Sequence, residues 1–264
     1  MTLKRYIKLL WLFTRVSIQN DAAYRADFVA HAFMAVGQLL AELIGVWTVF
    51  SNTQSLAGWN AYEVLALLGV FRMMTGIIAL LIAPNMRLIM DDIREGTLDF
   101  VLMMPISTQF YASTRRVVVW RLADVILGLA LALYAATHLS GGVPLPRVLG
   151  FITLLTAGSA IIYAFWLVLA TLAFWFTRIT NIEMVFWNVF EAGRYPVDIY
   201  RPWLRWGLTY VIPLAFLTTF PAAALMGKNR PTALIIALPV AALALLLSSM
   251  FWRYGLRRYS GASA

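Results

Sequence analysis

The sequence has no cysteine and few charges: Asp, Glu, Lys and Arg together make up 12% of its 264 residues. Without thiols the chain has no disulfide, no thiolate metal site and no cysteine nucleophile. Histidine is equally scarce, and His31 and His138 stand alone rather than in a metal-ligand spacing, so no metal site is expected. The shortage of charge is matched by an excess of apolar side chains, 62% in the AVILMFWYC set, with a mean hydropathy of +0.79. Stretches of ~20 residues carry one charge or none, which excludes a soluble enzyme. The 10 Trp, 16 Phe and 11 Tyr exclude a disordered chain. An all-α integral membrane protein is the class that remains.

Apolar runs predict spans at about 28–50, 62–83, 117–137, 148–176 and 232–252. At ~1.5 Å rise per residue each crosses a ~30 Å hydrocarbon layer. Residues 2–20 place Leu3, Tyr6, Ile7, Leu10 and Phe13 at helical spacing, with Lys4, Arg5, Lys8 and Arg15 largely off that stripe. This reads as a helix lying in the lipid headgroups. Its apolar run 9–13 is too short for a signal peptide and Arg15 interrupts it, so the segment is expected to stay in the mature protein.

The net charge of +9 belongs beside the spans, where basic residues meet anionic lipid, and nucleic acid is not expected as a partner. Lys and Arg number five in 1–25, five in 84–121 and three in 253–264, against none in 51–61 and one in 138–147; Arg178 follows span four. The N-terminus, the 84–121 loop and the C-terminus are therefore expected in the cytoplasm. With both ends on one side, residues 179–231 must cross once in net terms. Two paths fit. In one, 181–205 stays at the cytoplasmic face and 206–226 crosses. In the other, a short span 179–193 reaches the outer side and 203–226 dips back, a path that Pro213 and Pro221 favour because broken helices at membrane depth line protein or water. Arginine counting favours the first, since the second leaves Arg194, Arg201, Arg205, Lys228 and Arg230 outside.

Between spans two and three, Met86, Ile89, Met90 and Ile93 recur at helical spacing, with Asp91, Asp92, Arg94 and Glu95 off the stripe and Gly96 as a stop. A short amphipathic helix there can dock a partner, or simply lie on the membrane. Asp91 and Asp92 are adjacent and point to different sides, which is poor metal geometry. Inside the spans, a lone Arg72 would cost at least ~2.5–3.5 kcal/mol, so it needs a partner, and Glu42 lies at a matching depth. That pair reads either as a polar site on a transport path or as a structural bridge. Arg121 and Asp124, three apart, read as a local pair. Glu183 and Glu191 suggest no role. Trp203, Trp206 and Tyr210 read as belt residues, with an aromatic cage as the alternative.

The run Asp91-Asp92-Ile93-Arg94-Glu95-Gly96-Thr97-Leu98-Asp99-Phe100-Val101-Leu102-Met103-Met104-Pro105-Ile106-Ser107 resembles the segment after the second span of ABC-2 type (type V exporter-like) permeases. Ala192-Gly193-Arg194-Tyr195-Pro196-Val197, with Pro202-Trp203-Leu204 and Val211-Ile212-Pro213-Leu214, is similar to the run after their fourth span, with Ile212 where asparagine is usual. The opening Ala23-Tyr24-Arg25-Ala26-Asp27-Phe28 looks like the short bacterial subfamily whose ATPase is a separate subunit.

The resemblance implies six transmembrane helices, an N-terminal interfacial helix, a cytoplasmic coupling helix and a re-entrant outer element before the last span, in one permease domain over 1–264. It places ATPase docking at Met90, Asp91, Asp92, Arg94, Glu95, Gly96, Thr97, Leu98, Asp99 and Pro105. The outer element would hold Gly193, Arg194, Tyr195, Pro196, Pro202, Trp203 and Pro213, which favours the second path. It further implies ABC ATPase subunits carrying ATP and Mg, a second permease and a bacterial inner membrane. The chain itself has no Gly-Lys-Ser/Thr phosphate loop, since Gly227-Lys228 continues as Asn229. It is expected to be an exporter subunit rather than an enzyme. The rivals are an ion-coupled secondary transporter, which would need internal repeats, and an intramembrane lipid-modifying enzyme, which would need clustered acids.

Overall fold

The computed structural model describes residues 3–22, 25–138, 142–176, 180–228 and 231–259. Ala23 and Tyr24, the turn residue Gly141, Arg178, Ile179 and Arg230 lie outside them. Among the described residues every regular element is helical. The helices are α1 (Leu3–Ala22), α2 (Arg25–Phe50), α3 (Ala61–Ile77), α4 (Ala83–Glu95), α5 (Leu98–Leu102), α6 (Thr108–Thr114), α7 (Leu122–Thr137), α8 (Leu145–Thr171), α9 (Thr180–Phe190), α10 (Pro202–Tyr210), α11 (Phe220–Leu225) and α12 (Pro231–Arg258). By length and composition, five of the described helices can cross a membrane, or six if the bent pair around 211–214 counts as one.

The second span differs from the expected 62–83. It starts on an Asn60 cap, whose side chain accepts from the Glu63 amide while the Glu63 carboxylate accepts from the Asn60 amide. It then runs without a break as Ala61–Glu95, through a π-helical turn at Ile78–Ile82. Pro84, the first residue of the expected 84–121 loop, cannot donate to the carbonyl of Leu80. Here that carbonyl accepts from the Val118 amide at 2.9 Å. The buried Asn85 completes the repair: its Nδ2 donates to Leu81 O (2.6 Å) and Arg116 O (2.7 Å), and its Oδ1 accepts from the Arg116 amide (2.9 Å). With the freed carbonyls satisfied, a proline inside the helix is tolerated.

α3 is the enclosed centre, with Leu67, Leu68, Met74 and Ile78 fully buried. It meets α7 backbone to backbone. A Cβ on Gly69 would stand 2.6 Å from the amide nitrogen of Ala132, and one on Gly128 2.6 Å from that of Met73, so only glycine fits at either crossing. α8 packs on α11 and α12, burying Trp166 and Trp252. α2 stays peripheral, exposing Phe33, Met34, Ile44 and Trp47, a surface that costs nothing against lipid tails.

The bundle has two distinct ends. At the basic end, α1 lies against α6 and the start of α7. Tyr6 meets Phe110 at 4.6 Å and Phe13 meets Tyr111 at 5.6 Å, so part of the apolar stripe of 2–20 faces protein. Ser17 Oγ and Asp21 Oδ2 accept from the amides of Val117 (3.1 Å) and Val119 (2.9 Å). At the opposite end, the 51–60 loop is tied to the 191–228 segment. Trp59 Nε1 donates to Asp198 (3.1 Å), and Lys228 Nζ donates to Gly58 O (2.6 Å) and pairs with Glu63 (3.1 Å). Parts of the segment from Gly193 to Lys228 are thus held against the lysine-free loop, through Asp198 and Lys228.

Candidate functional site

Glu42 on α2, Arg72 on α3 and Asp124 on α7 converge inside the bundle, at 8%, 2% and 5% exposure. Arg72 Nε donates to Glu42 Oε2 at 3.2 Å and its Nη1 to Asp124 Oδ1 at 2.8 Å. The expected Glu42–Arg72 pair is formed, and Asp124 is a second partner that sequence reasoning assigned to Arg121 alone. Arg121 does reach Asp124, at 3.3 Å, but from the half-exposed rim. The signal for Asp124 was present in the chain. Gly69, Arg72 and Gly76 share one helical face, and Asp124, Gly128 and Ala132 another; two stripes of small residues bring the backbones close enough for both charges to meet.

A fourth group joins from the irregular segment after α9. Arg194 approaches Glu42 at 3.7 Å, pairs closely with Glu191 and lies over the Phe71 ring. Glu42 and Arg194 line a cavity of about 180 Å³ together with Gln38, Leu68 and Tyr195. Arg72 Nη2 and Arg194 Nε are buried without a hydrogen-bond partner, so the cluster keeps donors in reserve. Among the described residues no group of three His, Asp or Glu is gathered to hold a metal.

The stretch expected to dock an ATPase divides into anchors and surface. Gly96 closes α4 in the left-handed conformation (φ 75°). Met86, Ile89 and Ile93 point inward, with Met90 partly buried. Leu98 is 0% exposed, so it pins the turn rather than meeting a partner. Thr97 donates to Asp92, which pairs with Arg115 at 2.6 Å, and Asp91 pairs with Arg94 at 2.9 Å. What faces out is Arg94, Glu95, Pro105 and an apolar ridge that sequence reasoning passed over: Phe100 at 65% exposure, Met103 at 74%, with Leu102 and Met104 beside them. The end of α12 closes the turn from behind. Burial, with the Asp99 and Asp92 carboxylates adding to it, pushes the Tyr259 phenol above its ordinary value.

At the opposite end, the amide of Val197 donates to Thr219 Oγ1 (3.2 Å), and Gly193 packs against Thr218. Pro196 precedes a single 3-10 turn, Pro202 starts α10, and after Pro213 the chain bends by 76° into the π-helical turn Ala215–Thr219 and α11. The bend leaves a cavity of about 410 Å³ lined by Tyr200, Arg205, Trp206, Tyr210 and Phe216. Trp206 and Tyr210, expected as belt residues with a cage as the alternative, line it; the exposed Trp203 does not.

A helical bundle with five or six candidate spans and a buried charge cluster is the architecture of a multi-pass membrane protein. Residues 36–263 match the family described as ABC-2 family transporter protein, and the chain belongs to that family. A search of the curated proteins returns no significant match.

Proposed function

We propose that this chain is the membrane half of an ATP-driven exporter, paired with a second permease and served by separate ABC ATPase subunits that bring ATP and Mg. The basic end would face the cytoplasm of a bacterial inner membrane, with α1 in the headgroups and α10 to α11 as the re-entrant outer element. One observation carries the reading: the unbroken helix Ala61–Glu95 ends in a buried anchor, Leu98, that presents an apolar ridge with Arg94 and Glu95 at its foot. An unsupported loop could not transmit force; this stub can, because Leu98 and the Asp92–Arg115 pair tie it to the bundle.

The same helix carries Arg72 about a third of the way along and Glu63 at its far end, where Glu63 holds Lys228. A push on the stub would therefore move three places together: the ridge, the Glu42–Arg72–Asp124 cluster and the bent element. Buried ion pairs suit that role because their geometry is bistable, held with one set of partners or another. Substrate would pass between permeases and leave beside the 193–226 element.

The test is a co-purification with the ATPase partner. Phe100→Asp combined with Met103→Asp is expected to abolish the complex while the permease still elutes as a single species. Retention of the ATPase by that variant refutes the docking surface. Movement of substrate by the purified chain alone down an ion gradient refutes the ATP-driven mechanism.

A further inference from the structure

A second charged cavity, separate from the buried cluster, opens at the basic end between α2, the α3–α4 junction, the start of α7 and α9. Its volume is about 370 Å³. Three guanidinium groups line it, those of Arg87, Arg116 and Arg121, against one carboxylate, Glu183. Arg87 is held by Glu183, its Nε donating at 3.0 Å, and Arg121 leans on Asp124. Arg116 is exposed, and among the described residues its guanidinium meets no carboxylate. Its backbone is pinned at both N–H and C=O by Asn85, so the unpaired cation is presented from a fixed point.

The remaining wall is amphipathic. Trp187 donates to Glu183 at 3.4 Å, and Trp120 stacks on His31 with ring centroids 5.2 Å apart. Behind them Ala79, Ala83 and Val118 continue directly into the apolar spans. An excess of guanidinium groups favours phosphate oxygens, which arginine binds with charge-assisted, often paired hydrogen bonds. Indoles at the boundary between apolar and polar surface suit the neck of a lipid. Soluble phosphate would have no use for the apolar wall, whereas an acyl chain would.

We propose that this cavity binds the phosphate of an anionic amphiphile drawn from the leaflet at the basic end, with Arg116 and Arg87 as the principal ligands and the two indoles against the glycerol and upper chain. Binding there would clamp α9 to the α3–α4 junction next to the repaired proline. The site would serve in this way whichever ATPase docks and whether or not ATP drives the protein.

The experiment uses the full chain in nanodiscs, with phosphatidylglycerol titrated into phosphatidylcholine and retained lipid read by native mass spectrometry. Wild type is expected to retain phosphatidylglycerol over phosphatidylcholine. Arg116→Gln, which removes no ion pair, is expected to weaken retention about tenfold, and Arg87→Gln to do likewise. Arg253→Gln, on the exposed end of α12, serves as the control for bulk charge and is expected to change nothing. Equal retention of both lipids by wild type, or a loss with Arg253→Gln as large as with Arg116→Gln, overturns the site. Displacement of phosphatidylglycerol by inorganic phosphate would assign the cavity to a soluble ligand and overturn the lipid assignment.

Discussion

Both ends of the bundle collect cations, and they hold them in different ways. At the end closed by the 51–60 loop, Arg194, Arg205 and Lys228 each meet a carboxylate: Glu191, Asp198 and Glu63. Among the described residues, Arg201 there is exposed and shows no ion pair; at the basic end Arg87, Arg94, Arg115 and Arg121 are paired too, but Arg116 stands without a carboxylate and Lys4, Arg5 and Lys8 on α1 are exposed. Counting arginines along a sequence treats these groups as equal. A paired arginine exposes little net charge to the lipid surface potential, so it has little say in orientation, while a solvated one retains its full effect. On the proposed outer path, pairing would discount three of the cations that the count sets against it: Arg194, Arg205 and Lys228.

The comparison is sharpest when tested by position. The chain has no cysteine, so single cysteines report cleanly. Ser55→Cys and Trp203→Cys are expected to react with a membrane-impermeant maleimide from the same side of a sealed vesicle, and Met103→Cys only from the other. The contrast is all or none. Labelling of Trp203→Cys with Met103→Cys would return the arginines of 193–205 to the basic side and break the comparison.

Next in size is the buried cluster that separates the two ends. Arg72→Met takes from Glu42 and Asp124 the buried cation they share, leaving only Arg194 at 3.7 Å and Arg121 at 3.3 Å, and removal of one partner from a buried ion pair costs about 3–5 kcal/mol. Thermal unfolding in detergent should show that loss. The triple variant Glu42→Gln, Arg72→Met, Asp124→Asn should recover most of it, because the neutral set carries no unpaired charge. If Arg72→Met unfolds like wild type, the cluster is not what holds α2, α3 and α7 together.

The spans were legible because a run of ~20 apolar residues suits a membrane-crossing helix and little else. Partnership was less so. Asp124 read as Arg121's neighbour, since three residues apart on one helix is visible in the sequence and a contact between α3 and α7 is not. Residues from Pro84 on read as a loop, while the donor that makes up for the proline's missing hydrogen bond, the Val118 amide, arrives from 34 positions away. Leu98 read as a contact residue because the motif includes it; that it faces inward, leaving Phe100 and Met103 outside, depends on the turn at Gly96. In each case what decided the outcome was a group brought in by the fold and not by the neighbouring sequence.

The smallest effect concerns the tie between the 51–60 loop and the 191–228 segment. Lys228 is about one quarter exposed (27%), donates to Gly58 O and lies over the Trp59 ring at 5.0 Å. Its charge is partly screened by solvent, so Lys228→Met should lower stability by only about 1 kcal/mol. The methionine keeps the apolar contact with Trp59, which separates the loss of charge from the loss of packing. Glu63→Gln should cost a similar amount, and the two together less than their sum, since each single change already breaks the same pair. Strict additivity in that cycle, read from thermal unfolding of the four proteins, would mean that Lys228 and Glu63 act separately, and that the far end of the long helix is not fastened through them.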